Sequence, residues 1–314
     1  MGSFKVTAKD GVHVHVHEWL PEGDVKGVVQ IAHGMAEHGA RYERFAKFLN
    51  TAGYAVYADD HRGHGLTIPE GAVPGHMADT DGWTKAVEDL NGINQEISKR
   101  HPNKKIMLMG HSMGSFMTQD YMARYGDTIA AAALSATNGP AGTLGKIAQL
   151  VSRIEKLRNG NEGHSSLLAN MTFKTFNKAF SPNRTEFDWL SRDEAEVDRY
   201  VADPLCGFEC SVATWIGLLD ALTRIASNEA LGKMNKDMPI YVFSGTDDPV
   251  GEKTKGVKRL LKAYDSHGFS KVSHKFYPEG RHEILNETNL DKVMQDFLTW
   301  MENALNIKGA DKVG

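Results

Sequence analysis

The sequence predicts an α/β fold: an eight-stranded, mostly parallel sheet with helices on both faces and a helical cap inserted into it. Three observations carry that reading. Short apolar runs of strand length recur along the chain, and most are separated by stretches of helical length, the rhythm of βαβ units whose strands are buried on both faces. The first two runs alternate around an Asp10-Gly11 pair and read as a hairpin, with the second strand antiparallel. Between Gly139 and about Asn228 the alternation gives way to helical patterns alone, and it resumes at Pro239.

The hairpin is "SFKVTAK" and "VHVHVHEWL". Six strands follow, at 27–33, 54–60, 104–110, 129–136, 238–245 and 271–278, with helices expected over 40–52, 83–100 and 112–125. In the insertion, Leu144, Ile147, Leu150, Val151, Ile154 and Leu157 fall on one helical face, flanked by Lys146, Arg153, Lys156 and Arg158. The stripe is expected to pack down on the core, with a transient contact at a lipid surface as the alternative. Ser191 and Glu194 have the spacing of a capping box. These patterns divide the chain into a core of residues 1–138 and 229–314 and a helical cap or lid of residues 139–228, with approximate boundaries.

At 314 residues the chain can bury a large core, and its 41% hydrophobic and 24% charged residues are ordinary globular values. A net charge of -4 argues against a nucleic-acid partner, which needs a basic excess. No apolar run approaches the length of a membrane span, and "MGSFKVTAKDG" lacks the apolar centre of a signal peptide. Two cysteines, Cys206 and Cys210, are too few for a disulfide framework or a cysteine-based metal site. A reduced cytoplasmic protein is expected.

Reactive residues gather where the parallel strands end, the edge at which open sheets bind ligands. His33-Gly34 ends the third strand, Asp59-Asp60-His61 the fourth, Ser112 follows the fifth, Asp247-Asp248 the seventh and His282 the eighth. The pentapeptide "GHSMG" puts Ser112 between Gly110 and Gly114 at a strand-to-helix turn, where a Cβ on either glycine would collide with neighbouring backbone. With 31 glycines in the chain the pentapeptide alone decides nothing, but Ser, Asp and His in that chain order is the order of serine α/β-hydrolases. A serine hydroxyl needs a base, the histidine needs a carboxylate, and the oxyanion needs backbone donors. Those donors are the N–H of Met113 and of Met35, in the loop after the third strand.

Five segments together resemble the monoacylglycerol lipase and lysophospholipase group of serine α/β-hydrolases. "AHGMAEHGARYERFAKFL" resembles its H-G-x-x-E-H-x-x-R-Y segment and "YADDHRGHG" its D-x-R-G-H-G segment. "GHSMGS", "SGTDDPV" and "YPEGRHEILNE" resemble its elbow, acid and histidine segments. The resemblance runs from about Phe4 to Ala304. It implies an α/β-hydrolase fold and a triad of Ser112, Asp248 and His282, with Asp248 chosen over Asp247 because the group's acid precedes a Pro-Val pair. It also implies oxyanion donors at Met35 and Met113, no cofactor, and esters with one acyl chain as substrates. Leu144, Ile147, Phe173, Phe176, Phe180, Trp189 and Trp215 are expected to supply the apolar lining for that chain. A serine peptidase or thioesterase, or a non-catalytic relative, are the alternatives.

Two histidine patterns read as structural. His13, His15 and His17 share one strand face and are expected on a solvated surface rather than around a metal. "HGMAEH" is one residue too long for an H-x-x-E-H zinc motif. His33 and Asp60 are expected to support the oxyanion loop.

Overall fold

Each of the eight apolar runs forms a strand: β1 (Gly2–Thr7), β2 (His13–Trp19), β3 (Gly27–Ala32), β4 (Tyr54–Asp59), β5 (Ile106–His111), β6 (Ala131–Ser135), β7 (Ile240–Gly245) and β8 (Val272–Tyr277). The computed structural model describes residues 1–140 and 142–306, and the side chains of all of these except 142–144. The strands make one sheet in the order β1-β2-β4-β3-β5-β6-β7-β8. β2 runs antiparallel to both neighbours, and the remaining pairs are parallel.

Every residue of β3, β4, β5, β6 and β7 is buried, which is why these runs are mainly apolar instead of alternating, with Gln30 inside β3 bonded to the Leu90 carbonyl. Helices α1 (Glu43–Thr51) and α11 (Leu290–Ala304) cover one face, through Phe45, Leu49, Phe297 and Met301. Helices α2 (Gly82–Arg100), α3 (Met113–Tyr125) and α10 (Lys255–Ser266) cover the other, through Leu90, Met117, Tyr121 and Leu260.

The histidine face of β2 departs from the expected solvated surface. His13 is exposed, but His15 and His17 are 9% and 2% exposed. β1 covers the outer side of β2, so β2 is not an edge strand, and the chain after β4 folds back over the histidine face. There the Thr67 hydroxyl accepts the His15 N–H at 2.9 Å. His17 Nε2 lies 3.0 Å from Asp60 Oδ1, and the same carboxylate accepts the N–H groups of Gly39 and Leu66 at 2.8 Å each. Asp60 is thus a buried strut that ties β2 to the two loops that follow β3 and β4.

Between β6 and β7 the described residues form no strand. They include α4 (Gly142–Asn159), α5 (Ser166–Ala169), α6 (Thr175–Lys178), α7 (Glu194–Ala202), α8 (Val212–Ile225) and α9 (Asn228–Lys233). Most of the apolar stripe of α4 faces outward, against the expectation that it packs down, and Val151 alone of its described residues packs against the core. Ile147, Leu150, Ile154 and Leu157 are 49, 62, 48 and 88% exposed, and Leu144 lies outside the described side chains. Beside Val151, the inward face of α4 is polar and small. Gln149 donates to the Leu219 carbonyl on α8 at 3.1 Å, Ser152 is buried, and buried Glu155 accepts from the Ser165 hydroxyl at 2.5 Å. Helix α7 is capped by Asp193, whose carboxylate accepts the Ala195 N–H. Ser191 is not its cap, because its hydroxyl is engaged with the Asn286 carbonyl. No helix of the described residues is long and apolar enough to cross a membrane.

Candidate active site

The turn from β5 into α3 holds Ser112 at φ 50°, ψ -117°, a conformation that a side-chain-bearing residue adopts only when its surroundings enforce it. The enforcement is visible. The Ser112 N–H donates to the Ser135 carbonyl at 3.0 Å, and the Ser112 carbonyl accepts the Ser115 N–H at 2.9 Å and the Ser115 hydroxyl at 2.6 Å. A Cβ on Gly110 would lie 2.1 Å from the Gly114 oxygen, and one on Gly114 would lie 2.0 Å from the Ala32 oxygen. Only glycine lets α3 start this close to β3 and β5. The start of α3 leaves the Met113 N–H without an intrahelical acceptor.

His282 follows β8. Its Nδ1 is 2.9 Å from Oδ1 of Asp248, a carboxylate with no exposed surface that also accepts the Val250 N–H at 2.9 Å. Asp247 is half-buried, and its backbone N–H is spent on the Gly280 carbonyl. The imidazole of His282 sits between the rings of His111 and Trp189, with centroids 4.9 and 4.8 Å away. Burial, with the nearby His282, pushes His111 down to about 4, so that neighbour is uncharged at ordinary pH.

The loop after β3 is fastened from within. His33 Nε2 accepts the His61 N–H at 2.9 Å, which places the ring proton on Nδ1, and Nδ1 donates to the Gly34 carbonyl at 2.7 Å. Glu37 turns back on its own loop and accepts the Gly34 N–H at 2.5 Å and the Tyr42 hydroxyl at 3.0 Å. Its other oxygen takes Arg41 at 2.5 Å, and Arg41 also makes a two-pronged pair with Glu283 at 2.6 and 2.7 Å. Burial alone would raise the Glu283 carboxyl, but the Arg41 guanidinium outweighs it and holds the group down at about 2. Arg41 therefore joins the loop that carries Met35 to the residue after His282. Removing one member of such a buried pair costs about 3–5 kcal/mol, because a charge is left uncompensated.

Met35, Ser112 and His282 line one cleft of about 440 Å³, together with Phe173, Phe187, Trp189, Tyr200 and Phe208. Of the expected lining residues, Phe173 and Trp189 are here. Phe176 and Trp215 stand one layer back, against Trp189 at 5.3 Å and Phe173 at 5.7 Å. Phe180 lies under the Arg281 guanidinium, and Ile147 points to solvent. Phe187, Tyr200 and Phe208 escaped the sequence reading: Phe187 and Phe208 lie in irregular segments, and Tyr200 is on the short helix α7. The segment around α7 also touches both reactive loops. The His282 and Glu283 N–H groups donate to the Trp189 and Leu190 carbonyls, and Gly207 N–H donates to Ala36 O at 2.9 Å.

The family model described as "Serine aminopeptidase, S33" (Hydrolase_4) matches residues 23–289. The chain belongs to this family. Within Hydrolase_4 it is a monoacylglycerol lipase/esterase-type α/β-hydrolase. It is similar to the monoacylglycerol lipase of Mycolicibacterium smegmatis, at 31% identity over 94% of this chain and 95% of that one. It is also similar to the monoglyceride lipase of Homo sapiens, at 28% identity over 90% and 87%. Among solved structures, a thermostable carboxyl esterase from Bacillus coagulans, in complex with glycerol, superposes with a TM-score of 0.88. That match is 25% identical and covers 97% of this chain and 98% of that one.

Proposed function

We propose that this Hydrolase_4 enzyme cleaves carboxylic esters with a single acyl chain, monoacylglycerols and lysophospholipids foremost, through an acyl-enzyme on Ser112. The observation that carries the reading is one cleft lined by a serine on a strained elbow and by a histidine bonded to a buried aspartate, under aromatic walls. In this reading His282 takes the Ser112 proton as Oγ attacks the ester carbonyl, and Nδ1–H of the resulting imidazolium leans on Asp248. The oxyanion is received by the N–H groups of Met35 and Met113. His282 then protonates the departing alcohol, and water repeats the cycle on the acyl-enzyme to release the carboxylic acid. No cofactor is required.

The serine aminopeptidases of this family raise a peptidase as the second reading. An aminopeptidase needs a free carboxylate in the cleft for the substrate's amine. Glu37 and Glu283 line this cleft, yet Arg41, Tyr42 and Gly34 already occupy their oxygens. That favours a neutral ester, as do the monoacylglycerol lipases among its relatives.

Each buried methylene contributes about 0.8 kcal/mol. Hence kcat/KM on p-nitrophenyl esters is expected to climb with acyl length and fall once the cleft is full, with triacylglycerol emulsions and peptide anilides poor substrates. A profile flat in chain length, or anilide cleavage that rivals ester cleavage, would bring the peptidase forward.

The helices between β6 and β7 act in this reading as a cap, residues 139–228, on a core of residues 1–138 and 229–314. The outward stripe of α4 supports transient contact with a lipid surface: Ile147, Leu150, Ile154 and Leu157 are exposed and interleaved with Lys146, Arg153, Lys156 and Arg158. The double variant Ile154→Glu/Leu157→Glu is expected to cleave monoacylglycerol in anionic vesicles several-fold more slowly, with p-nitrophenyl butyrate hydrolysis unchanged. Equal vesicle rates would remove the surface role. Both cysteines are free, which supports a reducing compartment, the cytoplasm.

A further inference from the structure

Three side chains at the seam between the Met35 loop and the α7 segment have no part in the proposed reaction. His38 comes from the loop, and Asp203 and Cys206 from the turn after α7. An imidazole nitrogen, a carboxylate oxygen and the thiol sulfur lie within 4.8 Å of one another. His38 Nε2 and Asp203 Oδ2 are 2.9 Å apart. We propose that His38, Asp203 and Cys206 form a binding site for a borderline-soft divalent cation of the zinc type, which fastens the α7 segment to the loop that carries Met35.

The donor set is the first argument. One sulfur, one imidazole nitrogen and one carboxylate oxygen suit zinc or cobalt(II), whereas magnesium and calcium take oxygen ligands. The spacing is the second. Bonds of about 2.0–2.3 Å in tetrahedral geometry place ligand atoms roughly 3.3–3.7 Å apart, so these three need move only slightly to close on an ion. Access is the third. The side chains of His38 and Asp203 are 10% and 30% exposed and Cys206 is partly buried, which leaves the fourth position to water.

Two other three-residue groups lack these features. In the His15, His17 and Asp60 set the aspartate is saturated by donors. In the His76, Asp79 and Glu162 set both acids are exposed and no sulfur is present.

The seam already carries two bonds to the Ala36 carbonyl, from Tyr200 Oη and the Gly207 N–H, at 2.9 Å each. A cation one step along adds a third tie beside Met35. Occupancy is therefore expected to raise the unfolding temperature.

The test is a cobalt(II) titration of the untagged full-length chain under reducing, anaerobic conditions. A near-ultraviolet thiolate-to-cobalt charge-transfer band should appear, saturate at one equivalent and be displaced by zinc. Cys206→Ser should lose the band while its metal-free hydrolysis of p-nitrophenyl esters stays unchanged. Asp203→Asn should weaken binding by at least about tenfold. No band at stoichiometric cobalt, or the same band and affinity in Cys206→Ser, overturns the site. If the serine variant unfolds, as judged by its thermal melt, Cys206→Ala and Asp203→Asn carry the same comparison.

Discussion

Ser112→Ala is expected to lower turnover on p-nitrophenyl butyrate by about 10⁴–10⁶ and to abolish labelling by a fluorophosphonate, with the melting profile preserved. The loss is this large because the remaining groups act as a unit: without Oγ, His282 has no proton to take and the oxyanion donors face no intermediate. Ser115 is the matched control. It sits one turn along and donates its hydroxyl to the Ser112 carbonyl at 2.6 Å, so Ser115→Ala removes one neutral hydrogen bond, about 1 kcal/mol of stability, and leaves the chemistry. Substantial activity in Ser112→Ala, or labelling that survives the substitution, ends the nucleophile assignment.

Asp248→Asn should slow turnover by up to about 10⁴, and Asp247→Asn should have little effect. Asp248 is fully buried and its Oδ1 is 2.9 Å from His282 Nδ1. An asparagine there presents an amide N–H or a weaker acceptor, favours the wrong tautomer and gives the imidazolium no opposing charge. Asp247 is half-buried and contributes a backbone bond that its amide counterpart keeps. Steady-state rates for the two variants, side by side, settle which aspartate serves the histidine; the reverse order would move the acid by one residue.

The strands were legible because burial on both faces leaves a physical mark, a mainly apolar run without alternation, and β3 to β7 all carry it. The elbow was legible because Gly110 and Gly114 are demanded by backbone closer than a methyl group allows. What failed was direction. Alternation in β2 told which residues share a face, but not that Thr67 and Asp60 would cover that face and bury His15 and His17. Periodicity in α4 identified a stripe, but not that Gln149, Ser152 and Glu155 would turn inward and leave Ile154 and Leu157 in water. Ser191 matched a cap by spacing, and a distant carbonyl, Asn286, claimed its hydroxyl. The wall residues Phe187 and Phe208, outside any helix or strand, had no local pattern to betray them. In each case the deciding partner lies far along the chain, where a local pattern has no reach.

The crowding around the elbow has a consequence for how this enzyme can diversify. Gly34, Gly110 and Gly114 stand where a Cβ would come within 2.7, 2.1 and 2.0 Å of other atoms, and Arg41 locks the neighbouring loops to each other. That half of the cleft offers almost no viable neighbours in sequence space. The other half is Phe173, Phe187 and Phe208, large side chains whose trimming opens volume away from His282. A lineage under selection for a bulkier acyl or alcohol group would thus accumulate its changes in the aromatic wall, and its reactive half would stay nearly frozen.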